Sequence, residues 1–133
     1  MFPSGAPPSF LPTDIANLGG WWKLDRGVTE SGGAISQVGD QSINGVDVVQ
    51  TVESGKPTLI TGGANGQPYA DYDGGDWLFN NTMPSQGFTN ISLFMVADFD
   101  AALATSALFV LRSSGAIAER VRLINVSGGQ YEV

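Results

Sequence analysis

The stretch that most constrains this chain is residues 56–78, KPTLITGGANGQPYADYDGGDWL. Thr58-Leu59-Ile60-Thr61 is a short β-prone run, and Asn65-Gly66 is the pair that best tolerates positive φ in a tight turn. Residues 67–73 then alternate, with Tyr69 and Asp71 on one side and Ala70 and Tyr72 on the other. Asp73-Gly74-Gly75 turns the chain again, and Asp76-Trp77-Leu78-Phe79 leaves as a further strand. Strand, turn, strand, turn, strand in so short a span predicts an antiparallel β protein.

A chain of 133 residues, 42% apolar, is long enough for one domain with a real core. Its 18 glycines and 7 prolines favour many turns and short strands. The net charge of −7 argues against duplex DNA or an anionic membrane surface as partner. There is neither cysteine nor histidine. Disulfides, Cys- or His-ligated zinc, and Ser-His-Asp or Cys-His catalysis are therefore excluded. The longest apolar runs are only a few residues, too short to span a bilayer as a helix. MFPSGAPPSF has no basic region followed by an apolar one, so it does not read as a secretory signal.

Residues 1–12 hold Pro3, Pro7, Pro8 and Pro12, which favours an extended, polyproline-like arm. Such an arm could dock along a neighbouring subunit, with Phe2, Phe10 and Leu11 as anchors. Residues 13–133 are then the folded domain. A helical turn over residues 13–18, capped by Thr13 or Asp14 and stopped by Gly19, leads into a strand at Trp21-Trp22-Lys23-Leu24-Asp25. Further strands are expected at residues 34–38 and 46–50, separated by the turn Asp40-Gln41-Ser42-Ile43-Asn44-Gly45. Residues 91–99 are apolar on both faces and predict a central strand covered twice. Strands at 107–111, 120–126 and 130–133 complete the pattern. The last ends with the chain, which leaves two expectations: a product truncated or trimmed at Val133, or a smaller sandwich whose last strand another chain completes.

Four ordered pieces carry a resemblance. They are Gly20-Trp21-Trp22-Lys23-Leu24-Asp25, Ile35-Ser36-Gln37-Val38-Gly39-Asp40-Gln41-Ser42, Lys56-Pro57-Thr58-Leu59, and Asn65-Gly66-Gln67-Pro68 continued by Asp73-Gly74-Gly75-Asp76-Trp77-Leu78. This order resembles the concanavalin A-like, laminin-G-like jelly-roll domains of bacterial surface proteins and phage particles. Val38 stands where that family prefers tryptophan, Ile43 where it prefers glycine, and Tyr72 where it prefers phenylalanine. The resemblance implies an antiparallel β-sandwich, incomplete at its C-terminus. It also implies a non-enzymatic structural or attachment module of a virion, a head-decoration or tail-associated protein. Its partners would be other virion proteins and further copies of itself, and it would assemble in the host cytoplasm.

The alternative that the resemblance carries is a lectin-like module recognising a surface polysaccharide. Trp21, Tyr69 and Trp77 would be its aromatic platform, with Asn80 as an amide partner. Calcium is the one cofactor the sequence suggests, because Asp71, Asp73 and Asp76 flank a glycine turn and supply the hard oxygen ligands it requires. Glucanase relatives of this fold carry glutamates in an E-x-D-x-x-E strand. Here Glu30, Glu53, Glu119 and Glu132 are isolated, so no catalytic residues are assigned and no enzyme is expected.

Overall fold

A computed structural model of the chain describes residues 10–82, 92–98, 106–112, 119–126 and 130–132. The chain divides into two compact units, Met1–Met83 and Pro84–Val133. Strands pair antiparallel throughout, and the helical elements among the described residues are 3-10 turns. The all-β expectation therefore holds. No helix among the described residues is long and apolar enough to cross a membrane.

In the first unit β1 (Val28–Ser31) and β2 (Ala34–Val38) form a hairpin. Its two-residue turn is Gly32-Gly33, with φ of 60° and 89°, the left-handed pair whose twist matches the flanking strands. The Glu30 carboxylate fastens the turn by accepting from the Gly33 amide at 2.7 Å. The opposite edge of β2 is shared. Its first half pairs with β4 (Thr58–Ile60) and its second half with β3 (Val48–Val49). β4 pairs in turn with β5 (Tyr69–Asp71), giving the order β1-β2-β4-β5 with β3 beside β2.

β2 carries the core. The register runs Thr29 opposite Gln37 and then Glu30 opposite Ile35, which leaves Ser36 without a partner in β1. One extra residue shifts the alternation by one, so Ile35 and Val38, three apart, both reach the buried side. Ile35 is 0% exposed, and Val38 and Val46 are buried with it. The Ile35 amide donates to the Pro57 carbonyl at 2.8 Å, and Pro57 is itself buried. Among the described residues a single polar side chain is buried here. Gln50 donates from Nε2 to the Trp77 carbonyl at 3.0 Å and accepts from the Val52 amide at 2.9 Å. A buried amide used at both ends carries little net penalty.

The Asn65-Gly66 turn forms as expected, with φ of 56° and 73°, inside the 3-10 turn Ala64–Gly66 joining β4 to β5. The strands expected on either side of it shrink or vanish. Residues 76–79 form no strand, because Trp77 gives its amide to the Gly55 carbonyl and its carbonyl to Gln50. Only Phe79 makes a bridge, to Val49. Residues 21–25 likewise reduce to a bridge between Trp22 and Asp40, since the Trp21 amide is taken by a carboxylate instead of a neighbouring strand.

In the second unit β6 (Ser106–Arg112), β7 (Glu119–Val126) and β8 (Gln130–Glu132) form a three-stranded antiparallel sheet. β8 pairs with β7 through Ile124–Glu132, Asn125–Tyr131 and Val126–Gln130, so the final strand has a partner within the chain. Residues 92–98 correct the expectation of a doubly covered central strand. They make no strand pairing, and Phe94 and Val96 stand exposed. A covered strand needs ladder partners, and the described strands of this unit pair with one another.

Replacing Ile35 with alanine removes the most deeply buried side chain of the first unit. Urea unfolding followed by tryptophan fluorescence should show a loss of about 2–5 kcal/mol. A loss below about 0.5 kcal/mol, typical of surface substitutions, would contradict this core.

Candidate functional site

The Asp40 carboxylate organises the loops at one end of the first sheet. Oδ1 accepts from the Trp21 and Ser42 amides, each at 2.8 Å. Oδ2 accepts from the Ser42 hydroxyl at 2.6 Å and the Val46 amide at 2.9 Å. The Asp40-Gln41-Ser42 sequence suits this arrangement, because an aspartate readily bonds the backbone two residues on. The neighbouring Asp47 carboxylate accepts from the Asp40 amide at 2.9 Å and from Gln37 Nε2 at 2.8 Å. Trp22 completes the knot, donating from its indole to the Val46 carbonyl at 2.8 Å. Its ring lies so close to Gly20 that a Cβ there would fall 2.4 Å from it.

Partial burial pushes the Asp40 pKa up. The hydrogen bonds from the Ser42 hydroxyl and from the Trp21, Ser42 and Val46 amides outweigh it, leaving the group below its ordinary value.

Beside this knot lies an open cleft of about 530 Å³ between the Pro12–Asp14 3-10 turn and the loop that follows Asp40. Ile15, Leu18 and Ile43 supply its apolar surface, and Thr13, Asn17, Ser42 and Asn44 its polar groups. Asn44 holds the two walls together by donating from Nδ2 to the Leu18 carbonyl at 2.6 Å. Asn17 adopts φ 62°, the left-handed conformation an asparagine tolerates, and ends the turn ahead of Gly19. The cap position of that turn is Leu11, not Thr13 or Asp14; Asp14, at the turn's last position, reaches back to its start and accepts from the Leu11 amide at 2.8 Å. Ile43 is 100% exposed, and Phe10 and Leu11 are exposed where the arm enters.

The residues singled out for sugar binding lie in different settings. Trp21 is half-buried, with Lys23 Nζ 5.6 Å from its ring centroid. Lys23 is in turn paired with Asp25 at 3.0 Å. Trp77 rests on Gly55, where a Cβ would come within 3.0 Å of the ring, and about half of Trp77 remains exposed. Tyr69 covers Gly63 in the same way and is also half-exposed. The Asn80 amide is committed within the loops, donating to the Asp47 carbonyl and accepting from the Thr82 amide at 2.7 Å. Tyr72, which the sequence reading left out, stands half-exposed, and its hydroxyl pKa is raised by partial burial and by the Asp76 carboxylate.

Asp71, Asp73 and Asp76, the expected calcium ligands, are not brought together as a set of three. No group of three or more acidic side chains among the described residues is placed to hold a metal ion. The turn uses two of them itself. Asp73 Oδ1 accepts from the Gly75 amide at 2.8 Å, and Asp76 Oδ2 accepts from the Asp73 amide at 3.1 Å. Of the arm residues, Phe2 lies outside the described residues.

The cleft residues Asn17, Ile43 and Asn44 were missed as functional candidates. Their only trace in the sequence is Asn44-Gly45, a turn signal, with an isoleucine just before it. No family model matches the chain, and neither a curated protein nor a solved structure matches it.

Stability should depend on Asp40 through its lowered pKa. The contribution is present above the unfolded value, about 3.9, and is lost as pH falls through the folded one. Urea unfolding of the wild type and of Asp40→Asn should therefore differ most near neutrality and converge in acid. A gap that stays constant into acid would contradict the knot.

Proposed function

We propose that the chain is a non-enzymatic structural and attachment module of a viral particle, a phage head-decoration or tail-associated protein acting through protein–protein contacts. The virion setting rests on the motif resemblance, which fold alone does not turn into function. The observation that carries the contact role is the apolar surface at the arm end of the first unit. Phe10, Leu11, Ile15 and Ile43 are all exposed, and Ile15 and Ile43 line a cleft that has no charged lining residue among the described residues. Exposed apolar groups gathered at one place favour association with another surface. The module would assemble in the host cytoplasm with other virion proteins and with further copies of itself.

A second reading is a lectin-like module for a surface polysaccharide. Its support is the pair of half-exposed rings, Tyr69 and Trp77, each packed on a glycine and with about half of the residue open to solvent. A sugar platform needs such faces. Calcium, if used, would be held at the Asp71–Asp76 turn only after those carboxylates give up their backbone partners.

Sedimentation velocity across a wide concentration range tests the first reading. A closed oligomer that forms at micromolar concentration is the expected result. A chain that stays monomeric and binds a glycan array, with binding lost in Trp77→Ala, would contradict it in favour of the second.

A further inference from the structure

We infer that the cleft beside Asp40 receives the Pro-rich arm, residues 1–11, of a second copy of this chain. The inference rests on the assembly reading above and gives it a contact.

The chemistry of the two surfaces matches. The cleft offers aliphatic surface from Ile15, Leu18 and Ile43, together with uncharged polar groups from Thr13, Asn17 and Asn44. An ionic ligand would find no counter-charge on it. The Asn17 side chain makes no hydrogen bond among the described residues, so its amide is available to a ligand. The arm, MFPSGAPPSFL, carries no charged side chain, while Phe2, Phe10 and Leu11 supply apolar groups. Its prolines favour an extended backbone whose carbonyls have no internal partner and can accept from the Asn17 amide. An apolar groove edged by such a donor suits a polyproline-type segment, since little chain entropy is lost when it docks. The cleft volume of about 530 Å³ is in the range of ordinary ligand pockets and takes a few residues rather than the whole arm.

The direction of the chain points to a second copy. Leu11 is extended, at φ −112° and ψ 146°, and runs straight into Pro12, whose ring fixes φ. The Leu11 amide is tied to Asp14. Phe10 is 70% exposed and is not among the residues that line the cleft of its own chain. The residues that join the arm to the fold, Phe10 and Leu11, are thus held outside the lining of their own cleft, and the arm of a neighbour is the segment that can fill it. Each copy then has one arm to give and one cleft to fill, which closes a pair by exchange or builds a ring.

The test uses the full chain, isotopically labelled, and a synthetic peptide of residues 1–11. Backbone amide shifts should move at Ile15, Asn17, Ile43 and Asn44, and excess peptide should lower the native mass of the oligomer. A peptide with Phe2, Phe10 and Leu11 replaced by serine should do neither. Ile43→Asp, at a fully exposed position that the fold does not need, should weaken peptide binding at least tenfold and reduce self-association. Its circular dichroism should match the wild type. Peptide shifts that fall elsewhere, or an Ile43→Asp chain that binds and associates like the wild type, overturn the cleft while leaving assembly standing. A wild-type chain that is monomeric at every concentration overturns both.

Discussion

One carboxylate holds the first unit's loops in place. Asp40 accepts four hydrogen bonds, from Trp21, Val46 and both the amide and hydroxyl of Ser42. Bonds to an ionised acceptor are worth about 1.5–3 kcal/mol each, more than their neutral counterparts. They join three stretches, of which only the first two also meet through a single backbone bridge, Trp22 to Asp40: the double-tryptophan segment, the turn that follows Asp40, and the start of the segment leading to β3. Remove the charge, by protonation or as asparagine, and one oxygen no longer accepts as before, so two of the four bonds are lost or reversed and the other two weaken. Trp22 and Val46 would feel it next, because the indole bond between them depends on where Val46 is held.

β2 is the mechanical counterpart of that knot. It pairs with β1 on one edge and with β3 and β4 on the other, so the antiparallel ladder radiates from five residues. Ser36, which has no residue opposite it in β1, lets that short strand place two apolar side chains, Ile35 and Val38, on the buried side. Asp40 lies two residues beyond the end of β2. The strand that forms the core therefore also carries the carboxylate that sets the loops, and the cleft is built directly on it.

Much of this was legible in the sequence where short-range chemistry decides. Asn65-Gly66 specified its turn because few other residues adopt positive φ twice in succession, and residues 34–38 declared β2 by their flanking glycines and apolar content. The β1–β2 hairpin could have been found from Gly32-Gly33, a two-residue turn signal that was passed over because Val28–Ser31 is largely polar. What was not legible depends on partners distant in the chain. Trp21-Trp22 and Asp76-Trp77 have strand-like residues, yet carboxylate, carbonyl and amide groups from 19 to 27 residues away took their backbone bonds. Asp73 and Asp76, read as metal ligands by composition, are a local case: their bonds reach only two and three residues, within the one turn they close together. Asn80 suggested a sugar contact, but it spans 33 residues to fix Asp47.

The same logic bears on function. A surface formed by loops can bind with little ordering cost only if the loops are already held. Ser42 and Asn44, on the cleft wall, are held by Asp40 and by the Leu18 carbonyl, so the cleft is preformed rather than moulded around a partner. The most direct test is amide hydrogen exchange on the full chain, read at Trp21, Ser42 and Val46. The account predicts that these three loop amides exchange together and as slowly as Ile35 and Leu59 in the sheet. Fast, independent exchange at the three sites while the sheet stays protected would show that the carboxylate does not hold the loops, and a preformed cleft would be excluded.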